Sequence, residues 1–145
     1  MSVLTEILDA MGDALDDLVS DDTSIQVVAR MNLNPQAPTS IDMYPSDPFR
    51  GDETTGFGER AGELVFTVRA RVTTPDTDAA QEKLLALLDD EDDLCLAAAL
   101  EQDDTLGGLV SQLVVDGDTG YRIFEDPPGA MLGVAWRVRV INATS

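Results

Sequence analysis

Two stretches of strong apolar–polar alternation constrain the fold of this chain most. Residues 64–72 read Leu-Val-Phe-Thr-Val-Arg-Ala-Arg-Val, and residues 132–140 read Leu-Gly-Val-Ala-Trp-Arg-Val-Arg-Val. Successive side chains of a strand point to opposite faces. Leu64, Phe66, Val68, Ala70 and Val72 therefore make one apolar face, and Leu132, Val134, Trp136, Val138 and Val140 make another. Both strands predict a sheet with one face turned to a core, Trp136 within it. Arg69, Arg71, Arg137 and Arg139 then share the opposite side. The chain has only nine basic side chains against 28 acids, and no histidine. An arginine stripe in so acidic a chain predicts acid partners, either on the same chain or on a copy of it.

The length of 145 residues suits a single domain, 1–145, with one core, and an apolar content of 43% is that of a globular protein. No apolar run approaches the ~20 residues that span a bilayer. The first residues, Met-Ser-Val-Leu-Thr-Glu, lack the basic region of a signal peptide, so the chain reads as soluble, without a cleaved export signal or a membrane partner. Cys95 stands alone in an apolar stretch and reads as a buried structural thiol. A net charge of −19 argues against attraction to nucleic acid or anionic membrane, and suits a surface past which DNA must move without sticking. The acidic bias is equally compatible with the source of the chain.

Val3, Leu4, Ile7, Leu8, Met11, Leu15, Leu18 and Val19 recur at three- and four-residue spacing and predict an amphipathic helix, with Ser2 as a plausible N-cap. Residues 25–30 read as a strand, 32–39 as a connector with two prolines, and 41–44 as a short strand ending before Pro45 and Pro48. Residues 45–62 form the longest stretch without periodicity, and loops of that length are usually functional or disordered. Its large apolar groups, Phe49 and Phe57, together with Arg50 and Arg60, are candidate partner contacts. A helix is predicted from about 76 to 88, with Ala80, Leu84, Leu85 and Leu88 as its apolar stripe. The run Asp89-Asp90-Glu91-Asp92-Asp93 reads as a junction before a short helix over 94–100, since carboxylates favour a helix N-terminus. Leu113-Val114-Val115, Tyr121 to Phe124 and the final long strand, joined by Asp-Gly and Pro-Pro-Gly turns, predict a three-stranded meander. The fold class is α+β: an antiparallel sheet of about four to five strands with an N-terminal helix and one to two further helices packed on one face.

The common catalytic sets are missing. Without histidine there is no Ser-His-Asp or Cys-His arrangement, and one cysteine cannot build a usual zinc site. No glycine-rich phosphate loop with a lysine is present. The acidic run 89–93 could attract a hard cation, but its spacing matches no cation loop. The reading is a structural or interaction protein with no enzymatic activity, catalytic residue, cofactor or metal. The four arginines either join subunits or pair within the chain, with Glu63, Glu125 or acids of the first helix. If they join subunits, reversing the charge at Arg69 and Arg137 weakens assembly and leaves the subunit folded.

An ordered set of segments covers nearly the whole chain. An amphipathic helix precedes Tyr44-Pro45-Ser46-Asp47-Pro48, then Gly56-Phe57-Gly58, then the 64–72 strand and Ala79-Ala80-Gln81-Glu82-Lys83-Leu84-Leu85. After residues 94–101 come Thr105-Leu106-Gly107-Gly108, Gly120-Tyr121-Arg122 and Leu132-Gly133-Val134-Ala135-Trp136-Arg137-Val138. Together these resemble the tail terminator (tail-completion) proteins of long-tailed bacteriophages, particularly those of actinobacterial hosts. The resemblance implies a small α+β subunit of a hexameric ring in the virion, at the head-proximal end of the tail. There it would cap the tail tube, stop its polymerisation and meet the head-completion or neck proteins. DNA would pass through without specific binding, and assembly would take place in the host cytoplasm. The family has no sharp signature residues. The 45–62 loop is the expected contact with the tube or adjacent subunits, and Arg69, Arg71, Arg137 and Arg139 are expected at subunit contacts. Two other readings stay open: another head–tail connector component, such as a stopper or head-completion protein, and an acidic DNA-mimic that binds a basic partner.

Overall fold

The computed structural model of the protein describes residues 3–22, 24–33, 35, 37–50, 63–72, 78–126 and 129–141. The elements run α1 (Val3–Leu18), β1 (Ile25–Val28), β2 (Thr39–Arg50), β3 (Glu63–Val72), α2 (Asp78–Leu88), α3 (Leu96–Glu101), β4 (Gln112–Asp118), β5 (Arg122–Asp126) and β6 (Gly129–Ile141). The fold is mixed α+β, with six strands in one sheet of order β1-β2-β3-β6-β4 and β5 also paired to β6.

The two alternating stretches pair with each other. β3 and β6 run antiparallel in continuous register from Glu63 opposite Ile141 to Val72 opposite Leu132. Residues directly opposite share a face, so Phe66 and Val138, Val68 and Trp136, and Ala70 and Val134 all turn to one side. The helices cover that side: Ile7, Met11 and Leu15 of α1, Leu84 and Leu87 of α2, and Leu96 and Leu100 of α3 join these strand residues in one buried cluster. Burying each such large apolar side chain contributes about 1.5–3 kcal/mol. β3 is buried along both faces, every residue except Thr67. It is the sheet's central strand.

Several local expectations differ from the structure. β1 pairs parallel to β2, so the sheet is mixed rather than purely antiparallel. The connector 29–38 is long enough to carry the chain back beside its own start. β2 continues through Pro45 and Pro48 to Arg50 instead of ending at Tyr44. β1 pairs only with Thr39 to Asp42, so the prolines lie where one edge of β2 has no ladder among the described residues, and the β2–β3 register slips between Pro45 and Arg50. Proline is tolerated at such edges and bulges.

The expected C-terminal meander is instead one long, bulged partner for β6. β4 and β5 both run antiparallel to β6 along the same edge. Thr119 carries the ladder between them: its N–H donates to Ala135 O at 2.9 Å and its hydroxyl accepts from Ala135 N at 3.1 Å. Between Val115, opposite Val138, and Asp118, opposite Trp136, two residues of β4, Asp116 and Gly117, face the single Arg137 of β6, one extra residue, as in a β-bulge. Gly117 (φ 145°) and Gly120 (φ 68°) absorb the irregularity with backbone angles that side-chain-bearing residues seldom adopt. On α2 the buried residues are Leu84 and Leu87, while Leu85 is exposed.

The junction 89–95 is built from Asp side chains capping their own turns. Asp89 accepts from Glu91 N and Asp92 from Leu94 N, both at 2.9 Å, and α3 begins at Leu96 rather than Leu94. Cys95 is buried and free, as expected. The Ser2 cap, Phe57, Arg60 and the rest of residues 51–62 lie outside the described residues.

Lys83 on α2, the only lysine, donates to Asp22 in the turn after α1. Asp22 also accepts from the Ser24 N–H at 3.0 Å and the Ser24 hydroxyl at 2.5 Å. The Lys83 ammonium first, and the Ser24 donors after it, hold the Asp22 carboxyl at about 2, below its ordinary 3.8. A depressed carboxyl pKa adds stability above the unfolded value and loses it as pH falls toward the folded one. The wild type is therefore expected to lose stability relative to Lys83→Met between pH about 3.8 and about 2. Thermal unfolding of both proteins across that range measures it; a constant difference would refute the pairing.

Candidate functional site

The side of the sheet away from the helices carries the arginines, and its centre is a closed ion cluster. Asp42 on β2 stands directly opposite Arg69 on β3, and Ser40 opposite Arg71. That register sets Arg71 diagonal to Asp42, within reach of a long side chain. Arg69 Nε donates to Asp42 Oδ1 at 2.8 Å and Arg69 Nη2 to Asp42 Oδ2 at 3.0 Å, a two-pronged contact. Arg71 Nη2 donates to Asp42 Oδ2 at 3.2 Å and to the Asn32 carbonyl at 2.6 Å. Asn32 N–H completes the set by donating to Asp42 Oδ2 at 2.8 Å. Asp42 and Arg71 are 0% exposed and Arg69 is 4% exposed. Charge-assisted bonds of this geometry are the strong ones, and their burial makes each partner dependent on the other.

The cluster clamps the connector between β1 and β2 onto the sheet. Asn32 is held by both its backbone N–H and its carbonyl, and the preceding Arg30 bonds Asp9 on α1 at 3.0 Å. The expectation that Arg69 and Arg71 meet another subunit is therefore corrected: both are inside the subunit, paired to Asp42. Charge reversal at Arg69 strikes the fold, because a second carboxylate would face Asp42 in a buried site.

Arg137 and Arg139 lie nearer the surface and also pair within the chain. Arg137 Nη1 bonds Asp116 Oδ2 at 2.7 Å, with its side chain 54% exposed. Arg139 bonds Glu63 at 3.1 Å and approaches Asp116 at 3.7 Å. The intrachain alternative for Glu63 thus holds, whereas Asp42 and Asp116 were not anticipated as partners. A signal for Asp42 existed: it is the one acid in the alternating segment 40–44, on the face opposite Ile41 and Met43. An exposed pair such as Arg137–Asp116 contributes about 0–1 kcal/mol. Arg137→Ala is expected to shift the urea midpoint no more than that allows, and a larger shift would mean that Arg137 has a further structural role.

Beside the cluster, cations and rings alternate. Arg69 stacks over Tyr44 (5.0 Å to the ring centre) and Phe124 (5.5 Å), and Arg122 stacks over Phe124 from 5.3 Å. Tyr44, Thr67, Asp116, Arg122, Phe124 and Arg137 line an open groove of about 690 Å³. Guanidinium groups on aromatic faces contribute to recognition rather than to bond-making. Phe49, expected as a partner contact, packs partly buried against the core with its ring edge-on to Phe66 at 5.5 Å. Arg50 ends β2. Among the described residues no three His, Cys, Asp or Glu side chains converge as metal ligands, and no helix is long and apolar enough to cross a membrane.

Fold and site together define a small mixed α+β domain whose outer sheet face is closed by a buried ion cluster and flanked by an aromatic–arginine groove. No protein-family model matches the chain, and no curated protein matches it significantly.

Proposed function

We propose that this chain is a virion structural subunit of the tail-terminator type. It would form a hexameric ring that caps the tail tube of a long-tailed phage, stops its polymerisation and joins the tail to the neck proteins. The observation that carries the reading is the ordered series of sequence segments covering nearly the whole chain. The α+β subunit that this resemblance implies agrees in class with the fold: a leading amphipathic helix, a helix-backed sheet and two long paired strands. The acidic surface supports it too, since carboxylates facing a channel repel phosphates and let DNA pass without adhesion.

The expected result is a particle of six times the 15.5 kDa chain mass by light scattering, alone or with tube protein, and rings in negative stain. A strictly monomeric protein that also fails to cap tubes would overturn the reading.

A further inference from the structure

An unpaired strand edge invites another strand, and proteins blunt such edges by keeping them short, bulged or charged. β1 ends the sheet on one side and is only four residues long. β4 ends it on the other, with β5 continuing that edge along β6, and no strand lies beyond it among the described residues. The first four residues of β4, Gln112-Leu113-Val114-Val115, pair with β6 in continuous register and carry no charge. Leucine and valine on an open edge make a ready template for strand addition. The second half of β4 is a poor template, because Asp116 and Gly117 form the bulge and Asp116 and Asp118 add charge. The uncharged half needs a guard of its own.

Glu101 is placed to be that guard. It is the last residue of α3, and its Oε2 accepts from the Val115 N–H at 3.0 Å. The acceptor belongs to a helix and not to β6, so this N–H points to the free side of the edge. Backbone groups alternate between the two sides of a strand, which turns Leu113 the same way as Val115. An added strand would bond Leu113 and Val115, and one of its carbonyls would need the N–H that Glu101 holds. Val115 is also the last residue paired before the bulge, so the carboxylate and the bulge adjoin and close the edge together.

We propose that the Glu101–Val115 contact is an autoinhibitory latch that keeps β4 from pairing with β4 of a second copy. The occupant it excludes is a second copy because Leu113-Val114-Val115 is self-complementary when run antiparallel. About a two-fold axis at Val114, Leu113 of each copy would stand opposite Val115 of the other, an isologous contact that needs no opposite charges. The proposal is independent of the ring reading.

Val114→Cys reports the pairing, since the two positions would face each other as a non-hydrogen-bonded pair with Cα atoms about 4.5 Å apart, within disulfide reach. Cys95, the N-cap of α3, is replaced by serine, a favoured residue at that position. The protein is treated with a mild oxidant in about 0.5 M salt, which screens the repulsion between chains of net charge −19. With Glu101 in place no disulfide dimer should form. Adding Glu101→Ala, at an exposed position where folding is little affected, should raise the dimer at least about tenfold, the effect of losing a hydrogen bond to a charged acceptor. Glu101→Gln keeps an acceptor oxygen and should stay monomeric in this assay.

Hydrogen exchange gives a second measurement, in which the Val115 amide should exchange at least about tenfold faster in Glu101→Ala than in wild type. An unchanged exchange rate would overturn the latch. So would a dimer formed with Glu101 present, which would mean that the edge is already open. Faster exchange without a dimer would mean that Glu101 bonds the edge but guards nothing, and would overturn the proposal as well. Equal dimer from Glu101→Gln and Glu101→Ala would assign the guard to charge alone and overturn the hydrogen-bonded latch.

Discussion

Replacing Asp42 with Asn is expected to remove about 3–5 kcal/mol of stability, the cost of breaking a buried ion pair from one side. The position is 0% exposed, and its carboxylate accepts from Arg69, Arg71 and the Asn32 N–H together. Asparagine keeps the shape but offers one oxygen in place of two and turns an amide donor toward two cations. Whole-domain stabilities are about 5–15 kcal/mol, so the variant approaches the threshold of folding. In urea the midpoint should fall by roughly 2 M for a slope near 2 kcal/mol per M. The connector 29–33 should also become accessible to proteases, because its Asn32 anchor is the same carboxylate. A midpoint shift no larger than that of Arg137→Ala would show that the cluster contributes nothing beyond a surface pair.

Gly133→Ala is the second large effect. A Cβ at this position would meet the Ala70 carbonyl oxygen within van der Waals radii, Phe124 Cε2 at 2.9 Å and Arg71 Cγ at 3.0 Å. The first of these is backbone of the central strand and yields only if the β3–β6 ladder separates. Overpacking of this kind costs about 1–3 kcal/mol and more where backbone must move. For a chain of this size each kcal/mol lowers the melting temperature by about 2–4 °C. The loss should be accompanied by a changed environment of Phe124, whose ring fills the space above Gly133 and stacks against both Arg69 and Arg122. A melting temperature equal to wild type would refute the close approach. Both sites belong to the same outer face, so their effects should not add: Arg71 touches Asp42 on one side and the Gly133 position on the other.

Much of the fold was legible because it rests on local periodicity. The period of two in residues 64–72 and 132–140 marks two strands and their core faces, and the 3.6 period of residues 3–19 marks α1 and the side it buries. These patterns hold wherever the strands sit. The register did not follow from them, because pairing joins residues distant in sequence. Nothing local to Arg69 says that Asp42, rather than Glu63 or an acid of α1, will stand across from it. The bulged β4–β5 edge shows the same limit from another side. Asp-Gly and Thr-Gly suit both a hairpin turn and a β-bulge, and only the partner strand β6, running past both segments, selects the bulge.

The candidate site divides likewise. That the four arginines share one side of a sheet and meet acids was legible from alternation and charge alone. Which of them face solvent was not. Arg69 and Arg137 belong to similar Val-Arg-Ala-Arg and Trp-Arg-Val-Arg sequences, yet Arg69 is buried and the Arg137 side chain is half exposed. The difference comes from what lies over them: the β1–β2 connector, Tyr44 and Phe124 close over the Arg69–Arg71 pair, and no local pattern announces that cover. By itself, then, the sequence determined the two long strands with their core faces, the leading helix and the presence of an arginine–acid face, because these depend on the alternation and spacing of side chains along one segment. The tertiary structure alone decided which acid meets which arginine, which arginines are buried and which apolar side chains remain on display, because those depend on segments brought together only when the sheet closes.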